Sequence, residues 1–485
     1  MKTSIGCSFH TYELSMVFQP LCGQMANIFG RKSLMILSIT IFLLGSAICG
    51  ASHNISMLIS GRVVQGGGAG GMNMLAHVII SDIIPLRERG SFMAIIYLAI
   101  AVGTGVGPIA GGIIVQKTSW RWVFLLNLPI GGLALCLVMA FLQVKYNKES
   151  TVTAKLKRID FIGNAIFIPS VLSILLALTW GGTTFSWSSW RVIFSLVIGF
   201  AGLGAFGVFE WSKYCVEPTM PPRLFTNRTT VAALALSFVN SILLFWMLFW
   251  LPVYFQAILE SSPTRSGVQL LPFVLIMMPF GAFAGKALAR FGRYRIIHHL
   301  AFAFMLIGLG LMTKLGATSS TTAWVCYQAL VAAGCGFVST TTLPAVQAPL
   351  DESDTATATG TWAFIRSFGM VLAVPIPSAI FNNQVDNLSS RISNPAIRHM
   401  LLNGHAYEHA TSSFLKLFHG TLKAEIISVY SDSLKLVWQV AIGIAGLGFL
   451  IVFVEKEVKL RTDLKTEYGI EERQKKTEIE GVEEA

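Results

Sequence analysis

Apolar stretches of about twenty residues follow one another along almost the whole chain, separated by short polar joints. A bilayer core about 30 Å thick is crossed by about 20 residues of helix, so each stretch is long enough to span one. About thirteen spans can be drawn, at 11–27, 33–51, 57–80, 91–115, 122–142, 160–180, 191–211, 230–254, 268–290, 296–315, 322–345, 357–381 and 433–454. Two segments reach far into water, 383–430 and the tail beyond 455, and the tail alternates Glu and Lys as a solvated end does. No joint holds a catalytic aqueous domain. The pattern predicts an all-α polytopic membrane protein that is not an enzyme.

Composition strengthens this reading. Of the 485 residues, 53% are hydrophobic and 13% charged, against about 25% charged in soluble domains. Lipid, unlike water, requires no charged cover. The 44 glycines suit helices that pack backbone to backbone. The seven cysteines (Cys7, Cys22, Cys49, Cys136, Cys215, Cys326, Cys335) are scattered through mostly apolar runs with neither disulfide nor metal spacing, and read as small core side chains. The formal charge of +11 is sorted by side: alternate joints carry Arg31/Lys32, Arg87/Arg89, Lys145 through Arg158, Lys213/Arg223/Arg228 and Lys286 through Arg295, whereas the opposite joints carry few cations. Basic joints stay in the cytoplasm. The excess charge thus encodes orientation and not nucleic-acid binding; it puts the C-terminus inside and, with about thirteen spans, the N-terminus outside.

Two basic joints repeat each other. Gly23-Gln-Met-Ala-Asn27-Ile-Phe29-Gly30-Arg31 and Gly285-Lys-Ala-Leu-Ala-Arg290-Phe291-Gly292-Arg293 match in Gly, Phe, Gly and Arg at identical offsets. A tight cytoplasmic turn favours Gly and Arg on its own, but four matches at the same topological place point to an internal duplication. Inside the spans, Arg62 in Arg62-Val-Val-Gln65-Gly66 faces a cavity or a partner, or snorkels to the interface. Gly103, Gly107 and Gly111 recur every four residues and so share one helix face on which another helix can pack, with Pro108 able to bend the helix and Gly112 beside them.

These residues carry a resemblance. Gly23-x-x-x-Asn27-x-x-Gly30-Arg31-Lys32 resembles the signature loop of the major facilitator superfamily, except that the family's Asp is Asn27 here. The resemblance implies a conformational latch, weaker without the charge, and a fold of two pseudo-symmetric helix bundles. Arg62-x-x-Gln65-Gly66 is similar to the fourth-helix motif, which implies a part in proton coupling for Arg62. Gly103-x-x-x-Gly107-Pro108-x-x-Gly111-Gly112 is similar to the fifth-helix antiporter motif, which implies export. Ser119-Trp120-Arg121-Trp122 through Asn127-Leu-Pro129-Ile-Gly131, Asp160-x-x-Gly163, Trp180-Gly-Gly, Trp187 and Ser262-Pro-Thr-Arg-Ser266-Gly267 resemble the fourteen-helix drug:proton antiporter branch in its fungal form, with two extra central helices. The family's first helix and its acidic residue find no counterpart, so that helix is expected to be missing. The division implied is 1–144, an N-terminal bundle; 145–228, a basic linker with two extra helices; 229–454, a six-helix C-terminal bundle; and 455–485, a charged cytoplasmic tail.

Further polar residues inside spans are candidates for the cavity or for helix bridging: Asn73, His77, Asn240, Gln328 and Arg366, the last either lining a cavity or snorkelling. His77 suits a proton carrier because imidazole titrates near neutrality. Asp82, Arg87 and Arg89 are expected to form an ion network at the cytoplasmic end of their helix. Trp246, Phe249 and Trp250 stack on substrate or face lipid, and Asn387-Leu-Ser389 is a glycosylation sequon. No Gly-x-x-x-x-Gly-Lys-Ser/Thr loop occurs, so ATP drive, and with it a cofactor, is not expected. The expectation is proton-coupled efflux of small amphipathic molecules by a monomer in the plasma membrane or the vacuolar membrane. Proton symport of a nutrient or siderophore, and a non-transporting truncated paralogue, are the alternatives.

Overall fold

The computed structural model describes residues 16–144, 155, 157–181, 185–215, 217–402 and 404–463. Fourteen long helices are used below: α1 Gln19–Phe29, α2 Arg31–Gly50, α3 Ile55–Ile83, α4 Arg89–Lys117, α5 Trp122–Phe141, α6 Phe161–Trp180, α7 Trp190–Glu210, α8 Arg228–Ala257, α9 Pro263–Phe291, α10 Tyr294–Met312, α11 Thr321–Gln347, α12 Thr355–Leu372, α13 Pro375–Leu388 and α14 Gly420–Val452. Among the described residues, ten helical segments are long and apolar enough to cross a bilayer. Their ends follow local chemistry. Asn54, Asp160, Ser262 and Ser320 accept a backbone N–H in the first turns of α3, α6, α9 and α11.

The two repeated joints turn alike. Gly30 ends α1 at φ 84° and Gly292 ends α9 at φ 68°, a region that side chains avoid. Each glycine is followed at once by the next helix or by Arg293 and then α10. The side of the molecule that holds both joints is called the basic face here.

Two predicted boundaries shift. The span expected at 357–381 is broken between α12 and α13, because Pro375 and Pro377 cannot donate to the preceding turn. The last span, expected at 433–454, begins instead at Gly420, since Ile426, Val429 and Tyr430 already give α14 a buried stripe. The long segment expected in water therefore shrinks to 389–419. It is folded down rather than solvated: three short helices bury Leu401, Ala406, Phe414 and Leu415 against α8 and α14.

Helices α2 and α3 pack backbone to backbone, so that a methyl group at Gly68 would overlap Ser38 and Phe42. On the other side of the molecule α9 and α10 both lie along α11, and α8 and α10 lie along α14. Helices α6 and α7 pair with each other. They dock on α12 through Phe167 and Phe364, ring centres 5.0 Å apart. A third apolar cluster joins residues of both halves under the basic face, among them Ala26, Met74, Met93, Leu288, Leu343 and Trp362.

After α14 the chain does not leave the molecule at once. Glu455 Oε2 lies within hydrogen-bond distance of His298 Nδ1, 2.8 Å away, with both side chains fully buried. Lys456 O accepts from the Tyr294 hydroxyl, and that hydroxyl accepts from Val458 N at 2.9 Å. Leu460 is buried in the cluster under the basic face. Arg461 donates to Leu350 O at 2.7 Å and accepts from Arg87 N at 3.2 Å. The segment is a strap that runs from α14 across the basic face and reaches the joint between α3 and α4.

Candidate functional site

The two halves meet through a pair of helix crossings near the basic face. In one, Gly23 of α1 lies against Ala356 O and Gly360 of α12; in the other, Gly90 of α4 lies against Gly285 of α9. A side chain at Gly285 would strike the Gly90 carbonyl. Further along α4 the situation reverses. Where side chains would stand at Gly103, Gly107 and Gly111, there is open space among the described residues. In this conformation Gly90 carries the close approach of α4 to α9, and no described residue packs against the later glycines. The side chains of Pro108 and Gly112 lie outside the described residues.

Just above the crossings, three helices from both halves bring side chains together. Arg366 of α12 donates to the hydroxyl of Tyr97 on α4 at 3.0 Å and to Asn73 Oδ1 on α3 at 3.3 Å. Its guanidinium stands 4.9 Å from the centre of the Trp362 ring and 5.7 Å from that of Tyr97. Snorkelling is thereby excluded for Arg366: its donors cross to the other half. Counting 1.5 Å per residue from the basic ends of the three helices puts the group about 12–16 Å deep, near mid-bilayer. Among the described residues no carboxylate lies within ion-pair distance of Arg366. The residue is nonetheless only partly buried, so its charge is reachable.

His77 lies one turn from Asn73 and packs against Trp362, ring centres 5.2 Å apart. Its Nδ1 is 2.8 Å from Asn73 O. A carbonyl only accepts, so Nδ1 carries the hydrogen and Nε2 is left with a free lone pair. That Nε2 is buried without a hydrogen-bond partner among the described residues.

Arg62 and Gln65 do not join this group. They sit roughly 12–16 Å further along α3 from Asn73, where Arg62 donates to Gln65 Oε1 at 3.2 Å and lies over the Phe124 ring at 4.5 Å. Gln65 in turn donates to Ser46 at 2.8 Å. Arg62 is held by an amide and a ring inside one half.

The basic-face network is also rearranged. Asp82 pairs with Arg31 at 2.7 Å, while Arg89 donates to Ile84 O and to Gln347 Oε1 and Arg87 donates to Ala289 O and Arg290 O. The expected Asp82–Arg87–Arg89 cluster therefore opens out, with Arg87 capping the C-terminal carbonyls of α9 across the halves, where a cation is favoured. Gln347 also donates to Ser81 and Thr359, which makes it a buried hub between the halves. Asn27 Oδ1 has no hydrogen-bond partner among the described residues, Lys32 donates to Met139 O at 2.9 Å, and Arg293 is exposed. Trp246 and Trp250 face the protein interior rather than lipid, Trp250 against Tyr407 and Phe381. Asn240 bonds Ser339, and Gln328 bonds Gln269 O, as helix bridges.

Asp160, Glu210 and Cys215 bring one ligand atom each within 4.8 Å of one another. The carboxylate oxygens already accept Gly163 N, Thr219 N and Met220 N at 2.8, 3.0 and 3.3 Å. This cluster fastens α6 and α7 to α1 through Gln24, whose Oε1 accepts Asp160 N. Sequence reasoning passed over Tyr97 and Trp362, since aromatic residues in apolar helices look like core. The available signal was spacing: Trp362 and Arg366, like Asn73 and His77, are four apart and share a helix face.

The sequence profile of the Major Facilitator Superfamily matches residues 4–374. The chain is 48% identical over 468 residues to the MFS-type transporter gkaD of Penicillium citrinum, covering 96% of this chain and 80% of that protein. It is 46% identical to the MFS-type efflux transporter ffsH of Aspergillus flavipes, covering 95% and 82%. Against the efflux pump FUS6 of Gibberella moniliformis it is 45% identical, covering 93% and 81%. The fold is similar to that of the human organic anion transporter MFSD10, with a TM-score of 0.57, 15% identity and 93% and 83% of the two chains covered. It is similar also to the proton:xylose symporter XylE, with a TM-score of 0.57, 12% identity and 94% and 87% covered.

Proposed function

The chain belongs to the major facilitator superfamily, and from that premise we propose that it exports small amphipathic organic compounds in exchange for protons. These compounds are drugs, toxins or the cell's own secondary metabolites. On this reading the basic face is cytoplasmic, the protein works as a monomer, and its membrane is the plasma membrane, with the vacuolar membrane as the second choice.

One observation carries the reading. Two glycine crossings close the molecule beneath the Arg366 group, and above it no described residue stands against Gly103, Gly107 or Gly111 of α4. Close packing of the halves at the basic face is what one end state of a rocking cycle requires; the other state opens the crossings. Relatives that bear the names efflux pump and efflux transporter support the outward direction. For the proton, His77 offers a free Nε2 beside the site, and Arg62 is the second candidate, through its bond to Gln65.

Inside-out vesicles that contain the protein test this directly. With an acid lumen, an exporter of this kind accumulates amphipathic aromatic dyes, and an uncoupler abolishes the accumulation. Dye uptake that requires an alkaline lumen instead would establish proton symport and overturn the proposal.

A further inference from the structure

We infer that the Arg366 group is a recognition site for an anionic head, a carboxylate or an equally acidic enol, on the transported molecule. The inference deepens the export reading by naming a substrate class, and rests on that reading only for the word transported.

Burying a guanidinium near mid-bilayer is costly unless a partner of opposite charge or a wet cavity compensates it. Among the described residues Arg366 has neutral partners only: the Tyr97 hydroxyl, the Asn73 amide oxygen and the faces of two rings. A guanidinium has five N–H donors in a planar fork, of which these contacts use two. The remaining donors and the whole charge stay available on a partly exposed side chain. Its position is equally telling. A residue that merely tied the halves together would sit at the crossings, and there Gln347 and Arg87 already serve. Arg366 stands above them, further from the basic face, with its side chain partly exposed.

Of Arg366 and the rings around it, only Arg366 is partly exposed; Trp362, Tyr97 and His77 are buried and serve to hold the guanidinium in place. The group therefore selects a ligand by its acidic head, whose two oxygens match the planar fork. A carboxylate would meet Arg366 without displacing Tyr97 or Asn73, because those partners leave donors free.

The test is binding of 1-pyrenebutyrate and of its uncharged primary amide to the purified full chain in nanodiscs, read by quenching of tryptophan fluorescence. The acid is expected to bind about tenfold or more tightly than the amide, as a charge-assisted pair would give. Arg366→Gln should bring the two probes within about twofold, and Arg366→Lys should keep part of the difference. Asn73→Asp places an internal carboxylate at the guanidinium and should also abolish the preference. This second variant serves should Arg366→Gln fail to fold. Equal binding of acid and amide by the unmodified chain would overturn the inference, as would a tenfold preference that survives Arg366→Gln. Dye accumulation in vesicles is a separate measurement. A chain that exports neutral dyes without preferring the acid keeps the export reading and loses this one; a chain that prefers the acid but accumulates nothing does the reverse.

Discussion

The guanidinium of Arg31 holds the carboxylate of Asp82 at 2.7 Å, with both side chains almost wholly shielded from solvent. The pair joins the signature joint after α1 to the basic end of α3. It also explains how that joint manages with Asn27, whose oxygen has no partner among the described residues: the anion comes from the neighbouring helix. Removing one member of a buried pair strands the other at a cost of about 3–5 kcal/mol. Asp82→Asn and Arg31→Met are each expected to lower the melting temperature of the purified protein strongly. The double variant Arg31→Met with Asp82→Leu should recover part of the loss. Additive losses would mean that the two residues act independently.

The crossing of Gly90 and Gly285 has no room for side chains. Gly285→Val should cost about 1–3 kcal/mol through overpacking and part the halves at the basic face. Spin labels on the joints that follow α1 and α9 should then report a longer, broader distance. Gly107→Ala should leave both stability and distance unchanged in this conformation, because no described residue stands beside it. Equal damage from Gly107→Ala would contradict a special role for the Gly90–Gly285 crossing.

His298 and Glu455 share one proton in a fully buried contact. The Thr341 hydroxyl donates to Phe337 O at 2.7 Å, so it can only accept from His298 Nε2 at 3.0 Å. With Nε2 protonated, the bond between Nδ1 and Glu455 needs a further hydrogen, whichever atom it rests on. Glu455→Leu is expected to free the strap. Amide exchange at Val458, now protected by the Tyr294 hydroxyl, should accelerate by at least tenfold. Unchanged exchange there would show that the strap is held without the pair.

Cys215, in the joint after α7, should resist alkylation although it is partly exposed. Burial first, and then the charges of Asp160 and Glu210, push its thiol up to about 12. At pH 8 the reactive thiolate is then roughly one part in ten thousand. Removing a nearby negative charge lowers the thiol pKa and raises that fraction. Glu210→Gln should therefore speed maleimide labelling of Cys215 at fixed pH, and a rate that falls would refute the electrostatic explanation.

Much of the scaffold was legible in the chain because lipid makes hydrophobic runs and helices nearly the same thing. The duplicated joints were legible too: Gly30 and Gly292 each need a positive φ, and only glycine meets that need cheaply. What escaped depends on pairs far apart in sequence. Nothing near Arg366 announces Tyr97, and nothing near Gly90 announces Gly285, since each pairing is set by how two helix bundles lean together. The Gly103–Gly111 spacing is a related case. A small-residue stripe permits close approach, but which segment of it is in use depends on the conformation.

The strap has a consequence for how the molecule is made. The amide of Arg87, in the first half to be synthesised, bonds the carbonyl of Arg461, which is translated after every membrane helix. Until that late segment has emerged from the ribosome, the basic face lacks a bond between its earliest and latest parts. The crossings and the ties through Gln347 can form before it, but this last bond waits until Arg461 has been made.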